Sequence, residues 1–174
     1  MKKRTLTSLL LATACVLLLG GCTKSNIVRQ DEAASDGAPD FNMYMNIEID
    51  EDQLHDDVND VILEEDDYPM ASQVDFALHL DQEYIDVEVV VKDGTSGADA
   101  AEYASDALKC INDQVAVQDF SYGESGDDTF GGLYQDNEVN LKIYQESEYP
   151  DGKPMYETTI PKDTYMTLDV EDGE

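Results

Sequence analysis

Two runs of alternating apolar residues, Val74-Phe76-Leu78-Leu80 and Ile85-Val87-Val89-Val91, are separated only by Asp81 to Tyr84. A period of two sends every second side chain to the same side, so each run predicts a strand with one buried and one solvated face. The short link predicts that the two strands pair as a hairpin. Only Val90 breaks the pattern. Such a chain must build a sheet and must find something apolar to cover one side of it.

Two amphipathic segments supply that cover. Asp50 stands before Glu51, Asp52 and Gln53, an acidic N-cap with more negative charge in the first turn, where the helix dipole favours it. Leu54, Val58, Val61 and Ile62 then fall on one face, and Pro69 limits how far the helix runs. Ser96-Gly97-Ala98-Asp99 resembles a capping box, and Ala101, Ala104, Leu108, Ile111 and Val115 form the apolar face of a second helix. Met43, Met45, Ile47 and Ile49 alternate ahead of the first helix and predict a first strand. The Gly-, Ser- and Asp-rich stretch from Ser121 to Gly132 reads as a loop. Val139, Leu141 and Ile143 followed by Tyr156, Thr158 and Ile160, with Pro150-Asp151-Gly152 between them, read as a second hairpin. Tyr165 to Val170 adds a last short strand. The order strand-helix-strand-strand-helix-strands predicts an α+β fold, a mostly antiparallel sheet with two helices packed on one face.

The formal net charge of the 174 residues is −30. High charge with modest hydrophobicity is also the signature of disorder, but the periodicities above are too regular for an unstructured polar chain. They predict one domain over residues 41–170, followed by an acidic tail at 171–174. A field of this sign repels nucleic acid phosphates and anionic lipid head groups, so a nucleic-acid role is excluded; cations and cationic surfaces are favoured.

The N-terminus reads as an address. Lys2, Lys3 and Arg4 precede an apolar stretch from Leu9 to Leu19, shorter than the ~20 residues that a membrane-crossing helix needs. Small residues follow, then a cysteine: Leu19-Gly20-Gly21-Cys22. This tetrapeptide resembles the lipobox of bacterial lipoproteins. The resemblance covers residues 1–22 and implies cleavage of a signal peptide, 1–21, after Gly21. It further implies a diacylglyceryl group on the sulfur of Cys22 and an extracytoplasmic protein held to the cell membrane by fatty chains, palmitate among them. Removing residues 1–21 takes away Lys2, Lys3 and Arg4 and no acid, so the charge becomes −33 on 153 residues. The small, polar stretch 22–40 reads as a flexible linker. With Cys15 in the signal and Cys22 lipidated, Cys110 is left alone, and no internal disulfide is expected.

No constellation of catalytic type stands out. Only His55 and His79 are present, neither with a partner at metal-ligand spacing, and no G-x-S-x-G surrounds any serine. The run Glu64-Glu65-Asp66-Asp67 lies at the unfavourable end of the first helix's dipole, where a weakly held calcium ion would relieve it, yet no EF-hand pattern occurs. Gly131-Gly132 lacks the lysine and helix of a phosphate loop. Tyr44, Tyr84 and Tyr144 fall on or beside strands whose apolar residues point the other way, which fits either ordinary cross-strand packing or anchoring of a partner. The sequence therefore favours a membrane-anchored, non-catalytic binding module for a cationic protein, a peptide or a glycan. No catalytic, cofactor or metal residues are assigned, and Cys22 is the lipid attachment point. The alternatives are an envelope hydrolase using carboxylate acid and base, and a low-affinity surface calcium binder.

Overall fold

The computed structural model describes residues 47–64 and 66–172. All of them belong to the second of the two units into which the chain divides, Asn42–Glu174. Their elements run α1 (Glu51–Ile62), β1 (Ala71–His79), β2 (Tyr84–Val91), α2 (Gly97–Gln118), α3 (Leu133–Asp136), β3 (Glu138–Gln145) and β4 (Tyr156–Ile160). The strands form one sheet in the order β1-β2-β3-β4.

Local chemistry starts the helices where the sequence places them. The Asp50 carboxylate accepts from the Gln53 N–H at 3.1 Å, and the Ser96 hydroxyl accepts from the Asp99 N–H at 3.2 Å. Reciprocal bonds then tie the two helices together: Asp50 N–H donates to Gln118 Oε1 at 2.8 Å, and Gln118 Nε2 donates back to the Asp50 carbonyl at 3.1 Å. At the other end of α1, the Tyr103 hydroxyl donates to the Ile62 carbonyl at 3.1 Å, one of the acceptors that a helix end leaves open. Leu54, Val58 and Ile62 on α1 and Tyr103, Leu108 and Ile111 on α2 pack with Ile85, Val87, Leu141 and Ile143 of the sheet in a single core. Burial of these side chains at ~25 cal/mol per Å² is the main favourable term.

The class is α+β, but the sheet is mixed and not mostly antiparallel. β1 pairs with β2 and β3 with β4 antiparallel, as the two hairpins require. The central pair, β2 with β3, is parallel. Two parallel neighbours need a crossover, and α2 with the segment after it provides one. The apolar face of α2 also sits one residue away from its expected start: Ala100, Tyr103, Ala104 and Ala107 are buried, and Ala101 is only partly so.

The strand expected over 43–49 lies partly outside the described residues, and 47–49 within it is irregular. The strand expected over 165–170 is absent. Leu168 and Val170 are buried as an edge strand's would be, yet the segment docks on α2 without joining the sheet. A Cβ on Gly97 would come within 2.1 Å of the Val170 carbonyl oxygen, so only glycine admits the strap at this point. Asp172 completes the contact, its carboxylate accepting from the Gly97 N–H at 2.7 Å in the first turn of α2.

Candidate interaction face

Strand register builds the candidate site. The helices and the inward residues of all four strands share one core, so the alternate residues form an outer face, in rows that cross the sheet. One row is Asp75, Glu88, Lys142 and Glu157; the next is Ala77, Asp86, Asn140 and Thr159. His79, Tyr84 and Glu138 form a third at one border, and Gln73, Val90 and Tyr144 a fourth at the other. Solvent reaches the middle rows: the Asp86 side chain is 48% exposed and that of Lys142 38%.

These side chains are held by one another. His79 Nε2 lies 3.4 Å from Asp86 Oδ2. Asn140 Nδ2 donates to Asp86 Oδ1 at 2.9 Å, and the Thr159 hydroxyl donates to Asn140 Oδ1 at 3.1 Å. A polar ladder thus joins β1 to β4 across the whole sheet. The Tyr84 ring stacks on His79 with centroids 4.4 Å apart. At the other border Tyr149, from the β3–β4 connection, meets Tyr144 edge to face at 5.4 Å. Burial first, then the Glu88 and Asp75 carboxylates, raise the Tyr149 phenol above its usual pKa. Lys142 reaches Glu88 at 3.7 Å. The face therefore offers fixed donors and acceptors, aromatic borders and an excess of carboxylates. Its titratable groups, the His79–Asp86 pair among them, are engaged with one another across the sheet.

Of the residues singled out in the sequence, Tyr84 and Tyr144 reach this face, although Tyr144 is almost wholly buried there. Cys22 and Tyr44 lie outside the described residues. His79 joins the ladder, whereas His55 stacks on Phe76 at 3.9 Å on the core side. Asp86, Asn140, Thr159 and Tyr149 were not distinguishable in sequence, because only the register of non-neighbouring strands brings them together. Ser125 is far from any triad: its hydroxyl donates to Asp113 Oδ2 at 2.7 Å, and its N–H to Asp113 Oδ1 at 2.7 Å. Glu64, Asp66 and Asp67 are exposed, and Glu65 lies outside the described residues. Among the described residues no three His, Cys, Asp or Glu side chains converge as metal ligands would.

Elsewhere, a groove of about 500 Å³ lies between the C-terminal strap and α2, lined by Ser96, Ala101, Glu102, Thr167 and Asp169 among others. It brings carboxylates and hydroxyls together without a histidine or lysine. Among the described residues no helix is long and apolar enough to cross a membrane. Comparisons with protein-family models, with curated proteins and with solved structures give no match, so any function must be argued from this chain's own residues.

Proposed function

We propose that this protein is a lipid-anchored, extracytoplasmic binding module, non-catalytic, whose partner is met by the outer face of its sheet. One observation carries the reading: a ladder of side chains, from His79 through Asp86 and Asn140 to Thr159, is fixed across all four strands while remaining open to solvent. Exposed polar side chains lose rotamer freedom when ordered, and a face already ordered loses less when a partner binds. The signal and linker support the location: fatty chains on Cys22 would hold the domain at the membrane, and two or more chains anchor stably where one does not.

Two measurements test this. Labelled palmitate enters the protein made in its own host, and Cys22→Ala abolishes both the label and membrane partitioning; an unlabelled wild type refutes the anchor. The immobilised protein captures a partner from envelope extract at moderate salt, and the double variant Tyr84→Ala/Asp86→Asn loses it while keeping its melting temperature. Capture that the double variant retains would refute the assignment of the face.

A further inference from the structure

We infer that the outer sheet face receives a cationic polypeptide segment, with Lys or Arg side chains set against its carboxylate rows between the Tyr149 and Tyr84 borders. The inference rests on the binding-module reading and names the partner's chemistry. Charge selects among the possible occupants. Asp75, Asp86, Glu88, Glu138 and Glu157 share the face with one lysine, Lys142. A second copy docked face to face would bring two such sets of carboxylates together, and like charges opposed in an interface cost several kcal/mol. An anionic lipid surface is repelled in the same way. A neutral glycan would gain nothing from the excess charge, whereas a basic segment gains from every unpaired carboxylate.

Geometry favours extended polypeptide over a small cation. Neighbouring strands are ~4.8 Å apart, and successive outward residues along one strand are ~6.7 Å apart. Carboxylates therefore recur over the area covered by several residues of an extended chain, and do not converge on one point. At the borders, the Tyr149 and Tyr84 rings are placed to meet ammonium or guanidinium groups by cation–π contact. Lys142 occupies the middle of one row, 3.7 Å from Glu88, where a partner's own cation would sit. Its removal should therefore strengthen binding.

The test uses the full-length protein with its anchor in neutral detergent, and a labelled octalysine peptide at 0.15 M salt. Glu88→Gln/Glu138→Gln/Glu157→Gln should weaken binding at least tenfold. A control triple on the helices, Asp56→Asn/Asp60→Asn/Glu102→Gln, removes the same charge and should cost threefold at most. Lys142→Gln should tighten binding several-fold. Equal losses in the two triples would overturn the inference, because they report only the field of the whole molecule. Should the face triple unfold, an unchanged affinity in Lys142→Gln overturns it alone. A neutral chito-oligosaccharide that binds and is lost in Tyr84→Ala, with octalysine indifferent to the face, would overturn the cationic partner and leave the binding-module reading standing. Capture of the envelope partner that Tyr84→Ala/Asp86→Asn retains defeats that reading instead.

Discussion

Asn112 has no exposed surface, and every hydrogen-bonding group of its amide is occupied. Its Oδ1 accepts from the Leu133 N–H at 2.9 Å, and its Nδ2 donates to the Gly123 carbonyl at 3.0 Å and to Asp113 at 2.8 Å. One side chain of α2 thus fastens the segment 121–132, which composition alone marks only as a loop. Asn112→Ala leaves a buried N–H without an acceptor and should cost about 2 kcal/mol. Gly131 has φ +113, and a Cβ there would lie 1.9 Å from Asn112 Nδ2. Gly131→Ala should therefore cost at least about 2 kcal/mol through strain and collision. Because Asn112→Ala removes the colliding amide, the double variant should lose less than the sum of the two; urea unfolding midpoints at unchanged slope check this, and strict additivity would refute it. Cys110 is held differently. Burial, with Asp113 and Asp106 nearby, pushes its thiol up to about 11 from 9.0. The thiolate is the nucleophile, so alkylation at pH 7.5 should run on the order of a hundredfold slower in the folded protein than in urea. A raised pKa also signs the pH dependence. The stability it contributes is complete below the unfolded value near 9 and is lost as pH climbs through about 11. Tyr103 and Tyr134, both raised chiefly by burial, extend that loss to higher pH. Denaturant midpoints should fall steadily above pH 9, and a flat profile there would contradict the burial of these groups.

At the scale of elements, what the sequence discloses is which side chains are buried, and what it withholds is which backbone is paired. The runs 74–80 and 85–91 alternate and lie close together, so their pairing as β1 and β2 follows, apart from Leu80, which falls in the turn. Met166, Leu168 and Val170 alternate just as well and are buried or partly buried in the same core, yet they belong to no strand. Periodicity is the same in both cases because it reports the burial and not the ladder. Direction is likewise invisible: Val139, Leu141 and Ile143 read identically beside a parallel or an antiparallel neighbour. The clue lay in connectivity, since a 22-residue helix between two strands is the usual link of a parallel pair. The candidate site was legible only at Tyr84 and Tyr144; in sequence His79 is solely a lone histidine without a metal or triad partner. Its other members are polar residues on solvent faces, and their meaning comes from register. The strap gives a prediction of its own. Leu168→Ala removes a side chain only 4% exposed and should cost about 2–4 kcal/mol, although the residue lies in no helix or strand. By contrast Phe120, 85% exposed, should tolerate Phe120→Ser within about 0.5 kcal/mol. Chemical denaturation of both variants separates a packed strap from a loose tail, and a cost under about 1 kcal/mol for Leu168→Ala would favour the tail.

For the molecule as a whole, charge opposes compaction. A formal net charge of −30 places carboxylates on both helices, on the outer sheet face and along the strap, with few cations to offset them. At 0.01 M ionic strength the Debye length is ~30 Å, so charges across the whole domain repel one another; at 0.15 M it is ~8 Å, and only neighbours do. Unfolding separates the charges, so low salt favours the unfolded chain. The melting temperature should rise by several °C between 0.01 M and 0.15 M sodium chloride, a change of about 1–2 kcal/mol for a domain of this size. The same experiment distinguishes diffuse screening from a bound ion. Calcium chloride and sodium chloride at equal ionic strength should stabilise to nearly the same extent if the carboxylates act only as a field. A calcium-specific gain at millimolar concentration would follow instead from mass action at a discrete site. That gain would show a calcium site without saying which carboxylates form it. Neutralising the outer sheet face separates the two scales once more. If repulsion is spread over the molecule, Glu88→Gln/Glu138→Gln/Glu157→Gln should raise the low-salt melting temperature and narrow its salt dependence, the same substitutions that should weaken a cationic partner. If the acidic face does bind a cationic partner, the fold tolerates it at a cost in stability, and both effects are read from one set of variants.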